Sequence, residues 1–257
     1  MKIRVGASGF SYKEWLGNFY PEKLAGSAML AYYAERLRTV EINYTFRRMP
    51  KAPMLEGWVG KTPPDFRFAL KASQRITHFQ RLRGIKEPLN YFVGITEALG
   101  DRRGPVLFQL PPDLPRDDNL LGDFLGEIGG RVRAVFEFRH RSWFDDRVLQ
   151  ILRSNQAALC IAESEKFSSP IETTASHSYL RLRNETYDDP ALQAWAARIR
   201  ILARSTDEIY VFFKHESAAP DLAARLTAML ADVDPGPAPA LSTPPAARPK
   251  GGRRTAG

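Results

Sequence analysis

Short β-rich runs alternate with stretches of helical periodicity along most of the chain, up to about Val233. The β-rich runs are 3–8, 39–46, 66–73, 105–111, 133–139, 158–164, 179–184 and 208–216. Between most of them the apolar residues recur at helical spacing, at 27–38, 89–99, 120–128, 145–153 and 191–203. Strands that alternate with helices pair in parallel, because a parallel neighbour needs a long crossover and the helix supplies it. About eight such units in one domain length predict an α/β fold closed into a (β/α)8 barrel, the TIM-barrel architecture, rather than an open sheet. The connection 165–178 after the sixth run carries no clear helical pattern and is the weakest unit. Hydrophobic residues make up 44% of the chain, enough for the large core that a barrel needs.

A single domain over 1–233 is therefore expected. From 234 to 257 Pro, Ala and Gly dominate and large apolar side chains are nearly absent. Such a segment cannot offset its ordering entropy by burial and is predicted to be disordered. The formal net charge is +8. Arg248, Lys250, Arg253 and Arg254 against Asp234 place about +3 of it in that tail, leaving about +5 on the body. This balance suits an anionic ligand or nucleic acid. The single cysteine, Cys160, lies in an apolar run and reads as a small buried hydrophobe. It cannot form an internal disulfide. With no signal-like start and no apolar run long enough to span a bilayer, a cytoplasmic location and no membrane partner are inferred.

Alternate residues of a barrel strand face the helices or the lumen. In the second run Val40, Ile42, Tyr44 and Phe46 fall on one face, and Glu41, Asn43 and Thr45 on the other. In the third, Phe66, Phe68 and Leu70 oppose Arg67, Lys71 and Ser73. Val106, Phe108 and Leu110 oppose Gln109, and Ala134, Phe136 and Phe138 oppose Glu137 and Arg139. Leu180 and Leu182 oppose Arg181 and Arg183. Ile209, Val211 and Phe213 oppose Lys214 and Glu216. The phase of the sixth run is ambiguous, so Glu163 is assigned to neither face. The lumen face thus turns polar toward the C-terminal ends of the strands, where active sites of this fold sit.

The chemistry available there is mixed. Glu41 and Glu137 are candidates for a general base or for structural ion pairs with Arg and Lys neighbours. Nearby cations lower a carboxylate's pKa, so both are expected to be ionised at neutral pH. A general acid would then be His140 or Lys71. Lys71, Arg139, Arg181, Arg183 and Lys214 in the same layer repel a bound cation, and the four histidines show neither HxH nor HExxH spacing, so no metal ligands are assigned. Residues 6–9, Gly-Ala-Ser-Gly, complete no nucleotide-binding motif and read as a tight turn that admits a ligand or a neighbouring backbone. Phe10, Tyr12, Trp15, Phe46 and Trp143 follow strand ends, where aromatics stack a base or sugar or, more commonly, pack the loops over the rim. No residue pattern designates a cofactor.

The segments GASGFSYKEW at 6–15, VEINYTF at 40–46, FALKASQRITHFQRL at 68–82, GPVLFQLPP at 104–112, FEFRHRSWF at 136–144 and ALCIAES at 158–164 resemble the YecE-like family, domain of unknown function 72. The resemblance runs from about Ile3 to about Val233 and implies a TIM barrel. It brings no established activity. The family pattern falls on Ser8, Tyr12, Trp15, Glu41, Asn43, Lys71, Ser73, His78, Gln109, Glu137, Arg139, His140 and Trp143. The chain departs from it at Tyr44, at Glu163, at Arg183-Asn184 and at Lys214-His215-Glu216, so its last strands are more basic.

The leading expectation is an enzyme acting on a phosphorylated or carboxylated small molecule. Glu41, Lys71, Glu137 and His140 are the candidate catalytic groups. Ser8, Tyr12, Trp15, Asn43, Gln109, Arg139, Trp143 and Arg181 are the candidate ligand contacts. A second expectation is nucleic-acid binding or processing, resting on Arg75, Arg81 and Arg83 in the stretch 75–84, the rim aromatics and the basic tail. A third is a barrel that binds a ligand without turnover.

Overall fold

The computed structural model of the protein describes residues 1–165 and 167–231. The tail 234–257 lies outside the described residues. The elements run β1 (Lys2–Ser8), α1 (Met29–Arg36), β2 (Thr39–Ile42), α2 (Tyr44–Arg47), α3 (Ala52–Val59), β3 (Arg67–Lys71), α4 (Lys86–Thr96), β4 (Arg103–Gln109) and α5 (Asp118–Ile128). They continue with β5 (Ala134–Glu137), α6 (Asp146–Ser154), β6 (Ala158–Ser164), β7 (Phe167–Ser168), β8 (His177–Leu182), α7 (Asp189–Leu202), β9 (Glu208–Phe213) and α8 (Ala219–Leu230).

The sheet order is β5-β4-β3-β2-β1-β9-β8-β6-β7, and β5 also pairs with β6, which closes the ring. All ring pairings are parallel. The two-residue β7 is a short antiparallel extension of β6 outside the ring. Among the described residues no helix separates β6 from β8, so the unit that looked weakest in sequence lacks its helix. No helix among the described residues is long and apolar enough to cross a membrane.

Local chemistry explains the ends of the helices. Asp117, Asp145 and Asp188 cap α5, α6 and α7 by accepting from the backbone N–H of Leu120, Arg147 and Ala191, each at 2.9 Å. The second β-run is shorter than its alternation predicts. The chain turns at Asn43 (φ −93°, ψ −14°) into the one-turn α2, where the Thr45 hydroxyl donates to the Lys71 carbonyl at 2.6 Å. Tyr44 and Phe46 therefore do not face the outer helices. Tyr44 is exposed, and Phe46 swings over the barrel mouth.

Two apolar layers hold the fold. The outer one lies between strands and helices. The inner one fills the lumen, where Tyr179, Tyr210 and Phe212 of β8 and β9 meet small residues of β3 and β6, including Ala69, Ala158 and Cys160. Burial pushes the Cys160 thiol well above its ordinary pKa, so it serves here as a filler. Gly6 lets β1 approach β2: a Cβ there would lie 2.1 Å from the Thr39 carbonyl oxygen.

Candidate functional site

The registers fix which side chains enter the lumen above this apolar plug. Ser8 lies beside Glu41, Gln109 beside Glu137, and Arg181 beside Ala162 and Phe212. Glu163, left unassigned by its alternation, points the other way. Its carboxylate accepts from the Tyr187 hydroxyl at 2.9 Å and the Trp195 indole N–H at 3.0 Å, on the helix side of the sheet.

Glu41 and Glu137 are fully buried and share one buried guanidinium. Arg181 Nη2 donates to Glu41 Oε1 at 2.9 Å, and Arg181 Nε lies 2.8 Å from Glu41 Oε2. Its Nη1 donates to Glu137 Oε2. Glu41 also accepts from the Ser8 hydroxyl at 2.5 Å and the Tyr179 hydroxyl at 2.7 Å, and Asn43 Nδ2 donates to Ser8 Oγ at 2.8 Å. Glu137 accepts from Gln109 Nε2 at 2.9 Å, and Gln109 Oε1 accepts from Lys71 Nζ at 2.9 Å. Arg139 Nε lies 2.6 Å and Arg183 Nη1 3.7 Å from Glu137 Oε1. Eight of the sequence-derived residues thus join in one network: Ser8, Glu41, Asn43, Lys71, Gln109, Glu137, Arg139 and Arg181.

Charge follows from this geometry. Burial alone would raise both carboxyls. Arg181 and the hydrogen bonds from Ser8 and Tyr179 outweigh it and hold Glu41 below its ordinary range. For Glu137, Arg181 and Arg139 overcome burial and take the carboxyl down to about 2. Burial, and then the Glu41 charge, push Tyr179 well up, so its hydroxyl keeps its proton and stays a donor. Both glutamates are ionised; each of their oxygens accepts a hydrogen bond except Glu137 Oε1, which is held only at ion-pair distance from Arg139 and Arg183.

The groups around them are cationic, from the buried Lys71 to the exposed Lys214. Lys71 Nζ sits 4.0 Å from the centroid of the Phe46 ring, and burial, then Arg181, lower its amine to about 8. His78 packs edge-on against Phe46 with 4.9 Å between centroids. Burial and the Lys71 charge lower its pKa, so its ring is neutral at physiological pH. His78 comes from a single π-type turn, Arg75–Phe79, a geometry often found at functional sites. The left-handed residues Arg81 (φ 47°) and Leu82 (φ 66°) follow it. Arg139, Arg183 and Lys214 complete the mouth. Among the described residues no three His, Cys, Asp or Glu side chains converge as metal ligands.

Other sequence-derived candidates sit elsewhere. Trp15 and Trp143 are fully buried, so they are not exposed ligand platforms. The Trp15 indole N–H donates to the Glu216 carbonyl at 2.7 Å, and that of Trp143 to the Leu114 carbonyl at 2.8 Å. Both pin rim loops, the commoner use of such aromatics. Tyr12 is half-buried and donates to the Ser8 carbonyl at 2.8 Å, at the edge of the network. His140 turns outward, where its Nδ1 accepts from the Ser142 N–H at 3.2 Å and caps a local turn. In the basic stretch 75–84, Arg81 and Arg83 pair with Asp113 and Asp117.

Sequence reasoning missed Tyr179 as a site member, although it shares the alternation phase of Arg181. Phe46 was read as a rim aromatic and His78 as part of the family pattern, but neither was placed beside Lys71, because the α2 turn that brings Phe46 there is not legible in the alternation.

The family described as protein of unknown function DUF72 matches residues 4–247. The curated UPF0759 protein YunF of Bacillus subtilis (strain 168) is 31% identical over 150 residues, which is 55% of this chain and 52% of that protein. The chain thus spans about half the length of the curated relative it matches. A crystal structure of a DUF72 family protein from Thermotoga maritima MSB8 superimposes with a TM-score of 0.78 at 26% identity, over 90% of this chain and 99% of that one. One from Enterococcus faecalis V583 has a TM-score of 0.71 at 18% identity, over 89% and 94%, a likeness of fold alone. Lying inside that family match and sharing a barrel with its solved members, the chain belongs to the DUF72, or YecE-like, family.

Proposed function

We propose that the C-terminal face of the barrel binds a phosphorylated or carboxylated small molecule and transfers a proton on it, with Lys71 as the base. The observation that carries this reading is the division of charge by depth. Both lumen carboxylates of this layer are buried and paired through Arg181, while Arg139 and Arg183 are part-exposed and Lys214 exposed; Lys71 is itself buried beside them. Arg forks there suit bidentate capture of an oxyanion. Glu41 and Glu137 act as fixed anchors that orient Arg181 and Arg139, not as the base. With a pKa of about 8, a useful fraction of Lys71 is unprotonated near neutral pH, which suits general-base work. Phe46 shields one side of the amine, and Gln109 orients it.

Calorimetric titration of inorganic phosphate and of malonate into the full chain and into R139Q/R183Q tests the reading. At least tenfold weaker binding is expected in the double variant. Unchanged affinity would sink the anion site. Stoichiometric zinc, manganese or iron surviving dialysis would replace it with metal-assisted chemistry. Binding of random single-stranded DNA with a steep salt dependence would favour nucleic acid instead.

A further inference from the structure

We propose a second anion site at the opposite end of the barrel, a cleft among the N-terminal ends of the strands that takes the phosphate group of a small organic phosphate. The cleft has a volume of about 690 Å³, within the range of small-molecule sites. Its cations come from the starts of several strands: Lys2 and Arg4 of β1, Arg67 of β3, Arg103 of β4, and Arg133 just before β5.

Their charges are unequally matched. One carboxylate, Glu208, serves both Arg4 and Arg133. Arg133 Nη2 also donates to the Tyr210 hydroxyl at 2.8 Å, and Arg4 Nη1 to the Asp65 carbonyl at 2.8 Å. This bridge ties strands together, the usual role of residues at that end of the fold. Arg67 and Arg103 are different. Among the described residues neither pairs with a carboxylate. Arg67 donates to the carbonyls of Pro64 and Phe66 at 3.1 and 2.9 Å, and Arg103 to that of Arg131 at 3.0 Å. A guanidinium has five N–H donors, so each keeps unused ones. Asp101 and Asp207 also line the cleft, and the cations still outnumber the carboxylates.

His177 also lines the cleft and is only 3% exposed. Burial and the Arg133 charge hold its ring neutral, its pKa pushed down to about 4, so it adds no charge there. The cleft therefore offers an excess of guanidinium forks, which suit a phosphate group and repel a cation.

The test is calorimetric titration of pyrophosphate at fixed ionic strength into the full chain, R67Q/R103Q and R139Q/R183Q. The expected result is at least a tenfold loss of one binding event in R67Q/R103Q, with that event retained in R139Q/R183Q. Binding unchanged in R67Q/R103Q, or lost only in R139Q/R183Q, overturns this site and leaves the proposal for the other face standing. An equal response to chloride in place of pyrophosphate also overturns it. If R67Q/R103Q melts markedly lower than the parent, K2Q and R103Q singly replace it. Each should weaken the event severalfold, and no change in either would overturn the proposal.

Discussion

Arg181 enters the lumen from β8 and meets two carboxylates that have no contact with solvent. Removing it leaves the Glu41 charge buried without an ion-pair partner among the described residues, and leaves Glu137 to Arg139 and Arg183, which costs far more than losing a surface pair. Arg181→Met is expected to lower unfolding stability by about 3–5 kcal/mol at neutral pH, the range for breaking a buried ion pair. Urea denaturation reads the loss. The deficit should shrink as the pH falls toward and through the ordinary carboxyl range, because burial without Arg181 raises the Glu41 carboxyl and the freed group protonates early. A deficit that does not change with pH would argue against unpaired charge as its cause. Lys71 carries the other residue-level expectation. Its amine, lowered to about 8, should react with an acylating reagent with a midpoint near that pH. Peptide mapping by mass spectrometry after brief labelling across pH 6–11 checks it. A midpoint above 10 would remove the basis for Lys71 as the base.

The elements that carry these residues are held by a few local contacts. Gly6 allows β1 to lie against the Thr39 carbonyl, and Gly6→Ala puts a methyl where no atom fits. The expected cost is about 1–3 kcal/mol, as for overpacking. Because Ser8 is two residues further along β1, anion binding at the C-terminal face should weaken as well. Thermal melting with phosphate titration tests both effects. Asp188→Ala removes the cap of α7 and should cost about 1 kcal/mol without changing phosphate affinity, since α7 lies outside the barrel. Most strands and helices could be placed from periodicity, because apolar alternation reports which face is buried. The run 39–46 could not, since the turn at Asn43 depends on the Thr45 bond to Lys71 in the next strand.

Across the whole molecule, an apolar plug separates two layers of ion pairs, the buried Glu41–Arg181–Glu137 above and the part-buried Arg4–Glu208–Arg133 below. Burial works against both Glu137 and Glu208, but their arginine partners bring each carboxyl down to about 2 from an ordinary 4.5. In the unfolded chain these groups bind protons first, so folding stability is full above about pH 4.5 and falls as the pH drops toward 2. His177 adds to the loss at higher pH. The unfolded ring protonates near 6.5 while the folded one resists to about 4, so stability falls through that window too. The urea midpoint measured from pH 7 to 2 should decline in both windows. Glu208→Gln should flatten the lower one only in part, because Glu137 remains. A profile flat from pH 7 to 3 would contradict the ion-pair layers.

The sequence alone specified the barrel, its parallel order and the polar upper lumen, because strand alternation records which side of each strand is buried. It also brought Glu41, Lys71, Gln109, Glu137 and Arg181 to one face. It could not say which of those charges are free. That depends on pairing across strands as distant as β2 and β8, and alternation within one strand carries no information about partners in another. The same limit hid the outward turn of Glu163 and His140, the burial of Trp15 and Trp143, and the arrival of Phe46 beside Lys71. It hid the N-terminal cleft as well: Arg4, Arg67, Arg103, Arg133 and His177 are scattered through the chain, and only closure of the barrel brings the starts of their strands together.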